Sequence, residues 1–257
     1  MTRTLIATSA LTSALALAAA APAPAQVVEA DEIVSLAEWR YDDLYAAGVS
    51  AEAFIDEMEV LDVTGEEIGD VEDILIGPDG RVVAIVAEVG GFWDIGDTHV
   101  SVPFDMVDMA AFEGGVVIPV TEETVDDYEV YGAQVLDLAE VSTEVVAGTD
   151  DAMVAGRLTR VSDLIGDYAR LVQDEGLRDY GYVSDVILSE GEVAAVVVQP
   201  NVAYGGGYRA YPYHGYGAGY GHTPGAAYYD LPYAEAEVAE LEPFETERFD
   251  ADVVEVE

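Results

Sequence analysis

Three histidines, His99, His214 and His222, are the only imidazoles in the chain, and there is no cysteine. His214 and His222 share a flexible-looking Gly- and Tyr-rich stretch at a spacing unlike that of zinc ligands. His99 sits inside a predicted strand. Carboxylate pairs such as Asp126-Asp127 and Asp150-Asp151 attract Ca²⁺ or Mg²⁺ only loosely, and no stretch follows the Asp-x-Asp-x-Asp-Gly order of a calcium loop. Nucleophilic catalysis has little to draw on: no Cys, no Gly-x-Ser-x-Gly, and no histidine in a suggestive context. Acids are so abundant that no pair stands out as a glycosidase dyad. The expectation is a protein with no catalytic residues, no specific metal and no cofactor.

The stretch that most resembles a recognition element is "YGGGYRAYPYHGYGAGYGHTPG", residues 204–225. Tyrosine offers a large contact area with few rotors and a polar tip, and glycine lets the backbone adapt. The candidate binding residues are therefore Tyr204, Tyr208, Tyr211, Tyr213, His214, Tyr216, Tyr220 and His222, suited to protein or glycan contact. Two other readings stay open. The stretch is a solvent-exposed loop of biased composition, or its tyrosines fold back over an open barrel face.

Charge narrows the partners. There are 52 acidic residues against 9 basic ones, all arginine, for a formal net charge of −43. Such a field repels nucleic acid and anionic lipid surfaces. Two accounts fit it: an Arg-using genome with selection for solubility, or adaptation to high external salt, where repulsion is screened. The N-terminus reads as a signal peptide over residues 1–25. Arg3 leads a weakly apolar Ala-rich run, Ala23-Pro24-Ala25 is a small-x-small cleavage pattern, and Gln26 is the expected new N-terminus. Export to the periplasm is the expectation, with no transmembrane segment after the signal is removed. Without cysteine the exported chain has neither a disulfide nor a lipid anchor, so packing or partners must hold it.

Elements that could position a site follow in order. Residues 26–57 read as a helical segment. Ser35 and Glu38 form a capping-box pattern, Trp39, Tyr41, Leu44 and Tyr45 give a stripe, and Ser50 starts a second short helix. Residues 58–140 read as a first small barrel, 141–160 as an acidic linker, 161–245 as a second barrel containing the Tyr/Gly stretch, and 246–257 as an acidic tail. In "RVVAIVAEV" both alternate sets are apolar, Val83, Ile85, Ala87 and Val89 against Val82, Ala84 and Val86. A strand buried on both faces suits a barrel with something packed outside it.

The second half repeats the first. Gly69, Val71, Asp73 and Gly80 match Gly181, Val183, Asp185 and Gly191 in order, and Val102-Pro103-Phe104 is matched to Leu231-Pro232-Tyr233 across the Tyr/Gly stretch, which then reads as an insertion. The three-residue step from Val71 to Ile74, and from Val183 to Val186, breaks strand alternation and implies a bulge in each copy.

At these residues the chain resembles the PRC-barrel family. The matching stretches are "GEEIGDVEDILIGPDGRVVAIVAEVGGF" and "GDTHVSVPF"; "LIGDYARLVQDEGLRDYGYVSDVILSEGEVAAVVV" is a looser match that lacks Gly-Gly-Phe. The family's small β-barrel occurs in the cytoplasmic domain of the photosynthetic reaction-centre H subunit and at the C-terminus of a ribosome maturation factor. The resemblance implies a mainly β protein: two tandem small PRC-type β-barrels, short N-terminal helices and a long Tyr/Gly-rich loop. It implies a non-enzymatic module for protein interaction or assembly, its partner an unknown envelope protein or complex. Expected export argues against ribosome assembly, and lack of a spanning helix against a reaction-centre subunit. Alternatives are a cation- or small-ligand-binding, salt-adapted envelope protein, and an unrecognised hydrolase.

Overall fold

Alternation and glycine turns produce strands where the sequence predicts them. The computed structural model describes residues 33–90, 98–112, 115–121, 123–125, 135–148, 153–154, 158–173, 176–215, 219–223 and 225–249. The expected signal peptide, Tyr216 and the acidic end of the tail lie outside the described residues. The chain opens with α1 (Asp42–Ala47), β1 (Val49–Ser50) and α2 (Ala51–Glu57). Ser50 caps α2 as expected, its Oγ accepting from the Ala53 N–H at 3.0 Å. Around Ser35 there is a turn rather than a helix, and α1 starts only at Asp42.

A first sheet follows, with β2 (Glu59–Leu61), β3 (Glu67–Ile76), β4 (Val82–Val89), β5 (Thr98–Pro103), β6 (Asp108–Phe112) and β7 (Gly115–Val117). β8 (Val135–Leu136) and α3 (Leu138–Val141) come next, and the segment expected as a linker carries β9 (Val146–Gly148) and β10 (Met153–Val154). Next come β11 (Thr159–Arg160), α4 (Val161–Leu164), and the second sheet: β12 (Tyr168–Gln173), β13 (Gly176–Ser189), β14 (Glu192–Pro200), β15 (Arg209–Pro212), β16 (Gly221–His222) and β17 (Tyr228–Ala234), then α5 (Glu235–Val238). The protein is mainly β, built on two curled sheets ordered β6-β7-β2-β3-β4-β5-β9 and β15-β14-β13-β12-β17-β16.

Apart from β9, the pairings in the two strand orders correspond. β2 runs parallel to β7 as β12 runs parallel to β17. The expected bulges are present: the register of β3 on β4 shifts between Val71 and Asp73, and that of β13 on β14 between Val183 and Asp185. Each bulge bends a long strand so that the sheet curls. A Cβ at Gly69 or Gly181 would run into the carbonyl of Glu88 or Gln199 at the same point of each curl.

Pairing also corrects one match. Pro103 lies opposite Ala84, and the residue opposite Ala195 is Pro212, not Pro232. The counterpart of Val102-Pro103-Phe104 is thus Tyr211-Pro212-Tyr213. Pro232, on the strand parallel to β12, corresponds instead to Pro119, just beyond β7. Part of the Tyr/Gly stretch is therefore not an insertion but a strand of the second sheet.

One apolar cluster fills both curls, running from Ile74, Ile85 and Val100 to Val183, Val196 and Tyr229. The outer faces are sealed separately. Over the first sheet, Leu136, Val141 and Leu158 cover Leu75, Ala84 and Val86. Over the second, Leu44 and Phe244 cover Ile187, Ala195 and Val197. The doubly apolar β4 is explained by this cover, with one change: a register shift between Leu75 and Ile76 turns Val82 inward and leaves Val83 with the outer set.

The two sheets are joined reciprocally. β1, which precedes the first sheet, pairs with β13 of the second (Val49↔Leu188, Ser50↔Ile187). β11, which precedes the second, pairs with β3 of the first (Thr159↔Ile76, Arg160↔Leu75). Between them the hairpin ends meet: the Val82 N–H donates to the Gly191 carbonyl at 2.9 Å and the Val193 N–H to the Gly80 carbonyl at 2.8 Å. Gly80 and Gly191 sit at φ +84° and +78°, the left-handed region that glycine enters without strain. The matched aspartates close each half-joint. Asp73 Oδ1 accepts from the Ser162 N–H at 3.2 Å at the start of α4. Asp185 Oδ1 accepts from the Glu52 N–H at 3.1 Å at the start of α2.

Candidate functional site

Most of the tyrosines and histidines singled out in residues 204–225 serve the interior. Tyr211 projects inward from β15 and is fully buried, its hydroxyl 2.7 Å from that of Tyr180. Tyr213 packs beside Tyr229, with ring centroids 6.2 Å apart, and burial pushes its phenol pKa up. His214 is buried; its N–H donates to the Tyr229 hydroxyl at 2.7 Å and its Nε2 lies 3.2 Å from the Tyr233 hydroxyl. His222 is buried with Nδ1 3.4 Å from Asp167 Oδ2. Tyr204 is half-buried edge-on against Tyr180, and Tyr208 and Tyr220 are half-buried. Tyr211, His214 and His222, named as candidate contact residues, are thus buried. Backbone pairing of β15 with β14 and of β16 with β17 draws these residues into the curl. The reading in which the tyrosines fold back over an open barrel face describes them.

The exposed tyrosines are others. On β12, inward Ala169 and Leu171 alternate with outward Tyr168 and Arg170; on β17, inward Tyr229 and Leu231 alternate with outward Tyr228 and Asp230. Register places Tyr182, Tyr168 and Tyr228 side by side across three adjacent strands. Their exposures are 43%, 57% and 41%. Tyr168 and Tyr228 have ring centroids 6.4 Å apart. Gln199, opposite Tyr182 on β14, extends the row.

A charged row runs beside it. Asp179, Arg170 and Asp230 are register neighbours. Arg170 makes a bidentate pair with Asp230, at 2.6 Å from Nε and 2.8 Å from Nη2, and that partner raises its pKa. Its guanidinium also lies 4.0 Å over the Tyr228 ring. Arg170 is thereby held flat against the sheet and fixes the Tyr228 ring. The product is an exposed aromatic shelf in which the Tyr228 ring, held by Arg170, has little rotamer entropy left to lose on contact. These exposed tyrosines lie outside the tyrosine-dense segment, and their trace in the sequence is the alternation in "DYARLVQ".

One set of potential metal donors converges among the described residues. Glu72, Glu88 and His99 place their donor atoms within 4.8 Å of one another on the first sheet. They are far apart in sequence, so no spacing rule reveals them.

Residues 55–125, from α2 through the strands of the first sheet and beyond β7, match the family model of the PRC-barrel domain. The match takes in β2 to β7, so it is this part of the first sheet that carries the PRC-barrel likeness. No curated protein matches the chain. Among the described residues no helix is long and apolar enough to cross a membrane.

Proposed function

We propose that the protein is a non-enzymatic interaction and assembly module of the cell envelope, exported to the periplasm, and that it docks a partner protein on the Tyr182–Tyr168–Tyr228 shelf. The observation that carries this is the shelf: three aromatic rings in register on a face where a chain with 52 acidic residues would ordinarily display charge. Tyrosine and arginine are the residue types that dominate binding energy at protein interfaces, and here both are pre-positioned. The −43 field favours a partner that is basic or neutral where it touches. Corresponding strand pairings support reading the two sheets as two copies of one PRC-type barrel, the second having acquired the shelf: Gly115 stands where Tyr228 stands, and Asp70 where Tyr182 stands. The signal-like N-terminus supports export.

The test is a pull-down from native periplasm with the full chain and with Tyr168→Ser/Tyr182→Ser/Tyr228→Ser. A defined partner retained by the first and lost by the second, with equal melting temperatures, supports the proposal. A partner that binds both equally, or no partner at all, refutes it. N-terminal sequencing of the same material should begin at Gln26.

A further inference from the structure

We propose that Glu72, Glu88 and His99 form a binding site for one divalent transition-metal ion of the Zn²⁺ class. This goes beyond the interaction role and uses a different sheet. Backbone register fixes the donors. Glu88 and His99 are directly opposite on β4 and β5, and Glu72 is the extra residue of the β3 bulge, thrown outward beside them. His99 Nε2 stands 3.6 Å from Glu88 Oε2, and all three donor atoms lie within 4.8 Å of one another. Ligands about 2.0–2.2 Å from a tetrahedral ion lie about 3.3–3.6 Å apart, the spacing His99 and Glu88 already have, and a side-chain rotation of the exposed Glu72 brings in the third donor.

Burial is graded in a way that suits a bound ion. His99 is only 9% exposed, Glu88 is half-buried and Glu72 is exposed. The ion would therefore be held from one side by an imidazole and two carboxylates and open to water on the other. That donor set is borderline rather than hard. An imidazole in it favours Zn²⁺ or Co²⁺ over Ca²⁺ or Mg²⁺, which take oxygen ligands. The fold itself makes no demand for these residues. The corresponding positions of the second sheet, by the same pairings, are Ser184, Gln199 and Tyr208, and that sheet curls in the same way. The negative field of the chain raises the local cation concentration without selecting among cations. Selectivity must come from His99.

The experiment uses the full chain stripped with EDTA, titrated calorimetrically with ZnCl₂ and CaCl₂ and optically with CoCl₂, alongside Glu72→Gln, Glu88→Gln and His99→Gln. Expected is one equivalent of tight Zn²⁺, a Co²⁺ visible band, a metal-dependent rise in melting temperature, and at least tenfold weaker Zn²⁺ binding in each variant. Glu72 is exposed, so its variant keeps the test valid if His99→Gln folds poorly. Equal Zn²⁺ affinity in wild type and the Glu72 and Glu88 variants would overturn the site. So would weak, multi-equivalent binding in which Ca²⁺ does as well as Zn²⁺.

Discussion

Replacing Asp185 with Asn should change the pH dependence of stability in a defined direction. The two half-joints are built alike but charged differently. Asp73 receives Arg160 Nη1 at 3.2 Å and the Ser162 hydroxyl at 2.6 Å. Asp185 has Ser50 where Asp73 has Arg160, and it accepts the N–H groups of Val186 at 2.7 Å and Glu52 at 3.1 Å. The cavity beside it, about 260 Å³, is lined by Glu52, Asp56 and Glu57 and by no basic residue. Burial pushes the Asp185 carboxyl up from 3.8 to about 6, and nearby Glu52 adds to the rise. A group with a raised folded-state value holds its proton more tightly folded than unfolded. Its contribution to stability is complete below about pH 4 and lost as pH rises through about 6. At about 1.36 kcal/mol per unit the full loss is about 3 kcal/mol. Asn keeps the acceptor for both N–H groups and cannot ionise. Denaturant unfolding followed by tryptophan fluorescence should show the variant gaining on wild type from about pH 4 to 6.5, then holding a constant lead of up to about 3 kcal/mol. The other carboxylates titrate in both proteins and cancel in the difference. A difference flat across that window, or one that grows toward acid, would refute the reasoning.

Arg160→Ala leaves Asp73 buried with its charge uncompensated, at a cost of about 3 kcal/mol that a thermal melt at neutral pH should show. Ser162 still donates to it, which keeps the loss from being larger. Tyr211→Phe removes one member of the buried Tyr180–Tyr211 hydroxyl pair and should cost about 1–2 kcal/mol by chemical denaturation; an unchanged midpoint would mean that Tyr180 had found another partner.

The first barrel was legible because its hairpin is self-contained. Strand, Pro78-Asp79-Gly80 turn and strand are contiguous, and the alternation break at Val71 to Ile74 marks the bulge locally. The third strand of the second sheet was not. It follows a long connection, and the glycines and tyrosines around it mimic the composition of a free loop. Only hydrogen bonding to β14 distinguishes Tyr211 from a surface tyrosine. Val83 and Val82 exchanged faces because a one-residue slip leaves an all-apolar strand equally apolar. The candidate sites escaped for the same reason: the tyrosine shelf and the Glu72–Glu88–His99 set exist across strands, in register, rather than along the chain. Asp73 and Asp185 were visible as matched residues, but their task, capping a helix on the opposite sheet, belongs to tertiary contact.

The reciprocal joint makes each half the donor of a piece that the other needs. Neither sheet is a detachable unit: severing the chain between them would leave fragments that seek each other, each missing a short strand and helix that its counterpart carries. Either fragment alone would have a ready substitute in its own twin. A chain arranged in this way folds as a clasped pair of hands, in which letting go of one grip loosens the other.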